Sequence, residues 1–218
     1  MRYSLLFLCL LLQACSPSQN SLIDTFRVAV KGSQDVVVSP QRIAAIPYGS
    51  IYLTLPTSAQ IFVVGYRQDG VEKWSTGDQV VFVTQNGRLI RSAGYSAGDL
   101  LEVTGLQYDP LLHVANLHEG ASWKRLMRWT ENKQPLSSVV ESRFSRQNDE
   151  TLTLAGNVVA CQVWREDVVL QATGDRWHNT FWVDSHRGLV VKSDQMLGAD
   201  IPVSMTLLKP ANAGIPPA

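Results

Sequence analysis

The sequence has few of the residues that would identify its chemistry directly. It contains three cysteines and four histidines in 218 residues, and the histidines show no spacing typical of a metal site. Charged residues make up only 17% of the chain and the formal net charge is zero, so the overall charge does not favour nucleic acid as a partner. No segment approaches the ~20 consecutive apolar residues of a membrane-spanning helix. A hydrophobic content of 45% nevertheless indicates a globular chain with a sizeable core.

The amino terminus has the order of features that is typical of a lipoprotein signal peptide. Arg2 supplies a positive charge, an apolar run at 5–12 is too short to span a bilayer, and the small residue Ala14 directly precedes Cys15. This order resembles a bacterial lipobox, in which the cysteine thiol receives diacylglycerol, the preceding peptide bond is cut and the new amino terminus is acylated, for example with palmitate. We therefore predict a signal peptide at residues 1–14 and lipidation of Cys15. The alternatives are an ordinary secretory signal with a chance cysteine, or a buried amino-terminal helix.

The residues after the cysteine predict where the anchored protein resides. Ser16 stands where an aspartate would favour retention in the inner membrane, so it indicates the periplasmic face of the outer membrane. Residues 15–20 would form the lipidated cysteine and a polar tether. At ~3.3 Å per residue, five tether residues reach no more than about 17 Å. The folded domain should therefore sit close to the lipid surface.

Cysteine usage leaves a single thiol in the predicted mature domain. Cys9 would leave with the signal peptide and Cys15 would carry lipid, so Cys161 has no partner for an intrachain disulfide. Cys161 lies in an alternating apolar stretch, which indicates a buried small hydrophobe and not a nucleophile.

Short strand patterns separated by turn signals predict an all-β fold. Only residues 20–31 show clear helical spacing, whereas Asn86-Gly87 is a strong hairpin signal and later segments alternate apolar and polar residues. Residues 118–130 fit either a helix or a strand. We predict one domain at residues 21–208, a large antiparallel β-sandwich or half-open barrel with one N-terminal helix, followed by a disordered tail at 209–218.

The prediction also fixes several local details. Strands are expected at 35–39 and 43–46, and an edge strand at 205–208. Two strands are expected at 158–165 and 167–173, which makes Glu166 and Asp167 turn residues exposed to solvent.

Gly94–Gly98 matches the pattern of a serine-hydrolase nucleophile elbow, with Ser96 as the candidate nucleophile. Such an elbow needs a strand before it and a helix after it, and a catalytic acid and base elsewhere; Asp109 and His178 are candidates. The sequence shows no alternation of strands and helices, so a glycine-rich turn is the favoured interpretation.

Tryptophans and arginines are interleaved in the second half of the chain. Aromatic rings stack on sugars and arginine forks pair with acidic groups, so these residues could bind a polysaccharide. The candidate glycan contacts are Trp123, Arg125, Arg128, Trp129, Trp177 and Trp182. The favoured alternative is that the tryptophans pack a β core and the arginines form its solvated face, since alternation of this kind is typical of a half-buried strand.

A set of short motifs in a fixed order resembles the YjbF/GfcB-like lipoproteins, which are associated with group-four capsule and exopolysaccharide production. The motifs lie at 20–27, 47–50, 87–89, 142–144, 181–184 and 191–195. The resemblance implies an outer-membrane lipoprotein with an all-β fold, no catalytic residues and no cofactor. Its partners would be the membrane, through the lipid, and either a polysaccharide or proteins of the secretion machinery. A lipid-anchored serine hydrolase and a periplasmic acyl carrier are the alternative functions.

Overall fold

The computed structural model describes residues 35–56 and 58–212. Within them, thirteen strands form one antiparallel sheet, which confirms the all-β prediction. The elements are a short helix α1 (Pro40–Ala45) and the strands β1 (Gly49–Thr54), β2 (Ile61–Gln68), β3 (Val71–Ser75), β4 (Val81–Gln85), β5 (Arg88–Ala93), β6 (Leu100–Val103), β7 (Ser122–Glu131), β8 (Gln134–Arg146), β9 (Glu150–Leu154), β10 (Asn157–Leu170), β11 (Arg176–Asp184), β12 (Val190–Leu197) and β13 (Ile201–Lys209). The predicted signal peptide, Cys15, the tether and the helix at 20–31 lie outside the described residues.

The sheet curls into a nearly closed barrel. Its strand order runs β5-β4-β3-β2-β1-β13-β12-β11-β10-β8-β7-β6, with β9 paired to β10 beside this path. The two ends, β5 and β6, meet through Ser92, whose hydroxyl accepts a bond from Leu100 N at 2.9 Å and donates one to Asp99 Oδ1 at 2.8 Å. Side-chain bonds thus replace a backbone ladder at this seam. Of the two predicted architectures, the half-open barrel is therefore the better description.

Strand β7 shows how the sequence fills the barrel. Trp123, Arg125, Met127 and Trp129 are buried, whereas the residues between them face outward. This period of two resolves the ambiguous segment in favour of a strand. The interior around these side chains is packed by large apolar groups, among them the fully buried Phe82, Phe144 and Phe181.

A second layer covers part of the outer face of the barrel. Ile43 of α1 packs on Phe62 and Val64 of β2, and the hairpin of β9 and β10 brings Leu152 against Trp182. The outer faces of β7 and β8 carry exposed polar residues instead. The strands under the second layer therefore have two apolar faces, which explains their near-continuous hydrophobic sequence.

The prediction of a strand at 43–46 is wrong, because these residues lie in and just after α1. Ser39 caps the helix by accepting a hydrogen bond from Arg42 N at 3.4 Å, and Pro40 occupies its first turn. A Ser-Pro pair is a helix-start signal that outweighs the β-propensity of the isoleucines. Residues 35–39 form no strand either.

Two predicted strands at 158–165 and 167–173 are one continuous strand, β10. Glu166 is therefore not a turn residue: its side chain is fully buried and points into the barrel. The acidic pair resembled a turn, but Glu166 continues the inward alternation of Trp164 and Val168.

The carboxyl-terminal strand is not an edge strand. β13 pairs with β12 on one side and with β1 on the other. The chain continues to Asn212, whose carbonyl accepts a hydrogen bond from Arg67 N at 3.0 Å. Residues 213–218 of the predicted tail lie outside the described residues.

Candidate functional site

Four charged side chains meet inside the barrel. Arg88 is 2% exposed, Arg125 is 5% exposed, and Asp109 and Glu166 are fully buried. They come from β5, β7, β10 and the loop after β6, so only the closed barrel brings them together. We call these four residues the buried ion cluster.

Glu166 is at the centre of the buried ion cluster. Arg88 Nη1 donates to Glu166 Oε2 at 2.6 Å, and Arg125 Nη1 lies 3.3 Å from Glu166 Oε1. Arg88 also forks onto Asp109, with 2.7 Å from Nε to Oδ2 and 3.2 Å from Nη2 to Oδ1. The two arginines and two carboxylates balance in charge, which a low-dielectric interior requires.

Neutral donors complete the environment of the Glu166 carboxylate. Trp123 Nε1 donates to it at 2.9 Å, Ser142 Oγ at 2.7 Å and Asn179 Nδ2 at 2.8 Å. Aromatic rings cover the arginines: the Arg88 guanidinium lies 4.8 Å from the ring centre of Phe181, and that of Arg125 lies 4.4 Å from Trp123. Both contacts are cation–π interactions.

The pKa values in the cluster show which charges are stabilised. Burial alone would raise the pKa of Glu166, but Arg88 and Arg125 outweigh it and hold that pKa far below its ordinary value. Burial alone would lower the pKa of Arg88, yet Asp109 and Glu166 raise it above its usual range. Burial lowers the pKa of Arg125 to about 10, because Glu166 offsets it only in part and Arg88 repels it. All three groups therefore remain charged at neutral pH.

A tight turn holds Arg88 in position. Gly87 has φ +74°, and a Cβ built on it would lie 2.5 Å from Val190 Cγ1, so the hairpin turn packs directly against β12. The Gln195 side chain bonds the turn on both sides, accepting from Leu89 N at 3.0 Å and donating to Gly87 O at 2.8 Å. The Asn-Gly signal thus places a charged side chain where β5 crosses the barrel.

The carboxylates of the buried ion cluster are held by its own arginines and by neighbouring donors. A cavity of about 20 Å³ beside Arg88 and Arg125 has room for one water molecule. None of the four residues of the buried ion cluster is a nucleophile next to a base. The arrangement supports a structural role, in which the cluster fixes the relative positions of four segments. Neither Arg88 nor Glu166 was among the predicted site residues. The inward register of Glu166 on a continuous strand is the signal that could have identified Glu166.

An open groove lies on the outer face of β7, β8, β10 and β11. Its volume is about 550 Å³, and two rows of polar side chains border it. One row contains Ser122, Arg143 and Asp167, which are register partners across three strands; the other contains Lys124, Glu141, Val169 and Arg176. We call this feature the outer groove. The outer groove is larger than the cavity beside the buried ion cluster, and its mixed charges and open shape make it a candidate binding site.

The structure does not bring the six predicted glycan contacts together on one surface. Trp123, Arg125, Trp129 and Trp182 are buried, and the first two belong to or contact the ion cluster. The expectation that arginines form the solvated face of the sheet is therefore wrong for Arg125. The other two candidates are Arg128, which is exposed and lies 3.3 Å from Glu102, and Trp177, which is half-buried. Glycan contact through those two stays a prediction.

The candidate hydrolase residues occupy unrelated environments. Ser96 is exposed in the connection between β5 and β6, and no helix follows it. Asp99 caps this connection by accepting from Gly94 N at 2.9 Å and Tyr95 N at 3.2 Å, which is the geometry of a side-chain-stabilised turn. Asp109 is engaged by Arg88 inside the barrel, and His178 is exposed on β11. The glycine-rich turn is therefore the better interpretation.

Cys161 is buried in the small core under the β9–β10 hairpin. Burial raises the pKa of its thiol, and the charges of Asp184 and Glu150 raise it further. The thiol is thus protonated at neutral pH and a poor nucleophile. Among residues 35–56 and 58–212, no helix is long and apolar enough to cross a bilayer.

Comparison with known proteins gives one consistent result. The family described as "Group 4 capsule polysaccharide lipoprotein gfcB, YjbF" matches residues 23–208. The chain is 44% identical to the uncharacterized lipoprotein GfcB of Escherichia coli K12 over 204 residues, which cover 93% of this chain and 95% of that protein. It is 38% identical to the uncharacterized lipoprotein YjbF of the same organism over 212 residues, 96% of this chain and 98% of that protein.

A solved structure shares the fold. The crystal structure of the hypothetical lipoprotein YmcC from Escherichia coli K12 superposes with a TM-score of 0.75 at 43% sequence identity. The match covers 80% of this chain and 90% of the other.

Proposed function

The protein belongs to the YjbF family of group 4 capsule polysaccharide lipoproteins, and we propose that it supports the export or assembly of capsule or exopolysaccharide at the outer membrane without catalysing a reaction. The observation that carries this proposal is the family match over residues 23–208, which spans nearly the whole predicted mature chain. The proposed mechanism is tethering: the lipid on Cys15 holds the barrel at the periplasmic face of the membrane, and its surface meets glycan or a secretion protein.

Two observations support a role without catalysis. Both carboxylates of the buried ion cluster are engaged by arginines, and the Ser96 turn lacks the strand–turn–helix context of a hydrolase. The packed interior also argues against an acyl carrier, because Phe82, Phe144 and Phe181 fill the space that a lipid chain would need.

The proposal is tested by deleting the gene in a strain that makes the polysaccharide. We expect surface polysaccharide to fall sharply and the wild-type gene to restore it. Extracellular polysaccharide is measured per cell by uronic-acid or sugar assay after mild heat extraction. An unchanged amount in the deletion strain would sink the proposal. Labelling of Ser96 by a fluorophosphonate probe, or a copurifying lipid in native mass spectrometry, would favour one of the alternative functions.

A further inference from the structure

We propose that the outer groove binds an anionic polysaccharide, whose acidic groups are recognised by Arg143 and Arg176. This inference rests on the proposed function and assigns the substrate class and the binding residues. It concerns a surface that the predicted tryptophan contacts do not form.

The register of the strands defines the shape of the outer groove. Along each strand, a residue of one row lies two positions from a residue of the other row, and both rows point outward. The pairs are Ser122 and Lys124 on β7, Glu141 and Arg143 on β8, and Asp167 and Val169 on β10. A rise of 3.3–3.4 Å per residue separates the two rows by about 7 Å. The residues between them, such as Trp123 and Ser142, turn their side chains inward and leave their backbone as the floor. The two rows and this floor form a shallow channel that is open to solvent and can hold one extended sugar chain along it.

The positive charges of the groove differ in whether they are paired. Lys124 Nζ lies 2.5 Å from Glu141 Oε1, so its charge is compensated. Asp167, a carboxylate of the opposite row, is engaged by Arg165 at 2.8 Å. In contrast, Arg143 and Arg176 are exposed and make no hydrogen bond or ion pair with any of the residues that the structure describes. Two guanidinium forks are thus available for ligand carboxylates, which they match in geometry.

The spacing of the two arginines indicates the kind of polymer. Arg143 lies on β8 and Arg176 on β11, two strands apart and in opposite rows. Strand spacing of about 4.8 Å and the rise per residue place their Cα atoms about 12 Å apart. Two cations at this distance suit acidic groups on neighbouring repeats of a glycan. A nucleic-acid backbone, with a charge every ~1.7 Å, is far more densely charged than two cations about 12 Å apart.

The size of the groove fits a short segment of such a polymer. Its volume of about 550 Å³ lies within the ~300–1,000 Å³ range of small-ligand sites. Glu141 and Asp167 accept hydrogen bonds from sugar hydroxyls, while the arginines select for acidic groups. The site therefore distinguishes an acidic glycan from a neutral one by charge.

The test uses the purified full-length lipoprotein in detergent and two polysaccharides of equal length, polyglucuronic acid and neutral dextran. Affinity electrophoresis in gels with and without each polymer gives the dissociation constant. We expect retardation by polyglucuronic acid alone, weakened at least tenfold in the double variant Arg143→Gln/Arg176→Gln, because both charge-assisted pairs with the polymer are lost.

The matched control is Arg91→Gln, which removes one exposed arginine from β5, outside the groove. It should change the dissociation constant less than twofold. Near-identical thermal midpoints for all variants would show that folding is intact. Equal binding of both polymers, no binding by the wild-type protein, or full binding by the double variant would each overturn the groove assignment. The deletion phenotype is independent: lost surface polysaccharide together with absent binding would reject the groove and leave the proposed function standing.

Discussion

At the scale of single residues, Glu166 stands out among the described residues for the number of its side-chain hydrogen bonds. It accepts bonds from two arginines and three neutral donors while fully buried. Removing one partner of a buried ion pair leaves the other charge uncompensated, and this is far more costly than losing a surface pair. Without Glu166, Arg125 loses its carboxylate partner, whereas Arg88 keeps Asp109.

We predict that Glu166→Gln lowers the free energy of unfolding by about 3–5 kcal/mol at neutral pH. The matched control is Glu102→Gln, which breaks an exposed pair with Arg128 and should cost less than ~1 kcal/mol. Urea unfolding followed by tryptophan fluorescence measures both values. A cost below 1 kcal/mol for Glu166→Gln would show that the cluster contributes no net specificity or stability.

The same residue predicts the response to acid. The pKa of Glu166 is held well below its ordinary value of 4.5 in the folded protein, so its contribution is complete above pH 4.5 and is lost as pH falls through the folded pKa. The stability difference between wild type and Glu166→Gln should therefore shrink as pH falls below about 4.5. Urea unfolding at a series of pH values measures this difference. A constant difference between pH 7 and pH 3 would contradict the assigned charge state.

At the scale of elements, the β4–β5 hairpin turn locks two sides of the barrel together. Gly87 needs both a positive φ and close approach to Val190, whereas Gly70 has φ +82° with nothing within 4 Å of a built Cβ. We predict that Gly87→Ala lowers the thermal midpoint much more than Gly70→Ala, because only the first adds a clash to the ~1 kcal/mol of backbone strain. Circular dichroism melts measure both. Equal shifts would mean that the turn does not pack against β12 as described.

Most elements could be predicted from the sequence, and the errors have physical causes. Alternation and the Asn86-Gly87 signal located the hairpins, because they depend on local chemistry. Strand β10 was divided at Glu166, since two adjacent acids resemble a turn unless their partners across the barrel are known. The partners Arg88 and Asp109 lie far away in the chain, at separations of 78 and 21 residues for the Arg88 contacts, and no local pattern reveals such contacts.

The outer groove illustrates the same limit. Its residues alternate with buried ones on four strands, so each strand reads only as half-buried. The pairing of the outward charges depends on cross-strand register, and local sequence patterns do not reveal that register. The tryptophans were predicted as glycan contacts because aromatic rings stack on sugars, yet most of them are buried.

At the scale of the whole molecule, we predict that the position of the protein in the cell depends on the thiol of Cys15. We predict that Cys15→Ser moves the protein from the membrane fraction to the soluble periplasmic fraction and abolishes labelling by palmitate, because no other lipid attachment is expected. Cell fractionation and metabolic labelling measure the two effects. Retention of Cys15→Ser in the outer membrane would require an anchor other than lipid. The matched control is Cys161→Ser, which should leave the localisation unchanged.

The pairing of β1 with β13 has a consequence for biogenesis. Among the described strands, sheet neighbours follow one another along the chain except at two places: β8 pairs with β10, with β9 between them in sequence, and β1 pairs with β13. A chain delivered amino terminus first therefore exposes one edge of β1 until roughly 150 further residues have emerged, which at ~5–20 residues per second takes on the order of 10–30 s. During that interval the predicted lipid would hold the amino-terminal end at the membrane, while the open edge of β1 awaits its partner and is free to pair with other chains. This edge is therefore the part of the sheet that needs protection while the chain is incomplete.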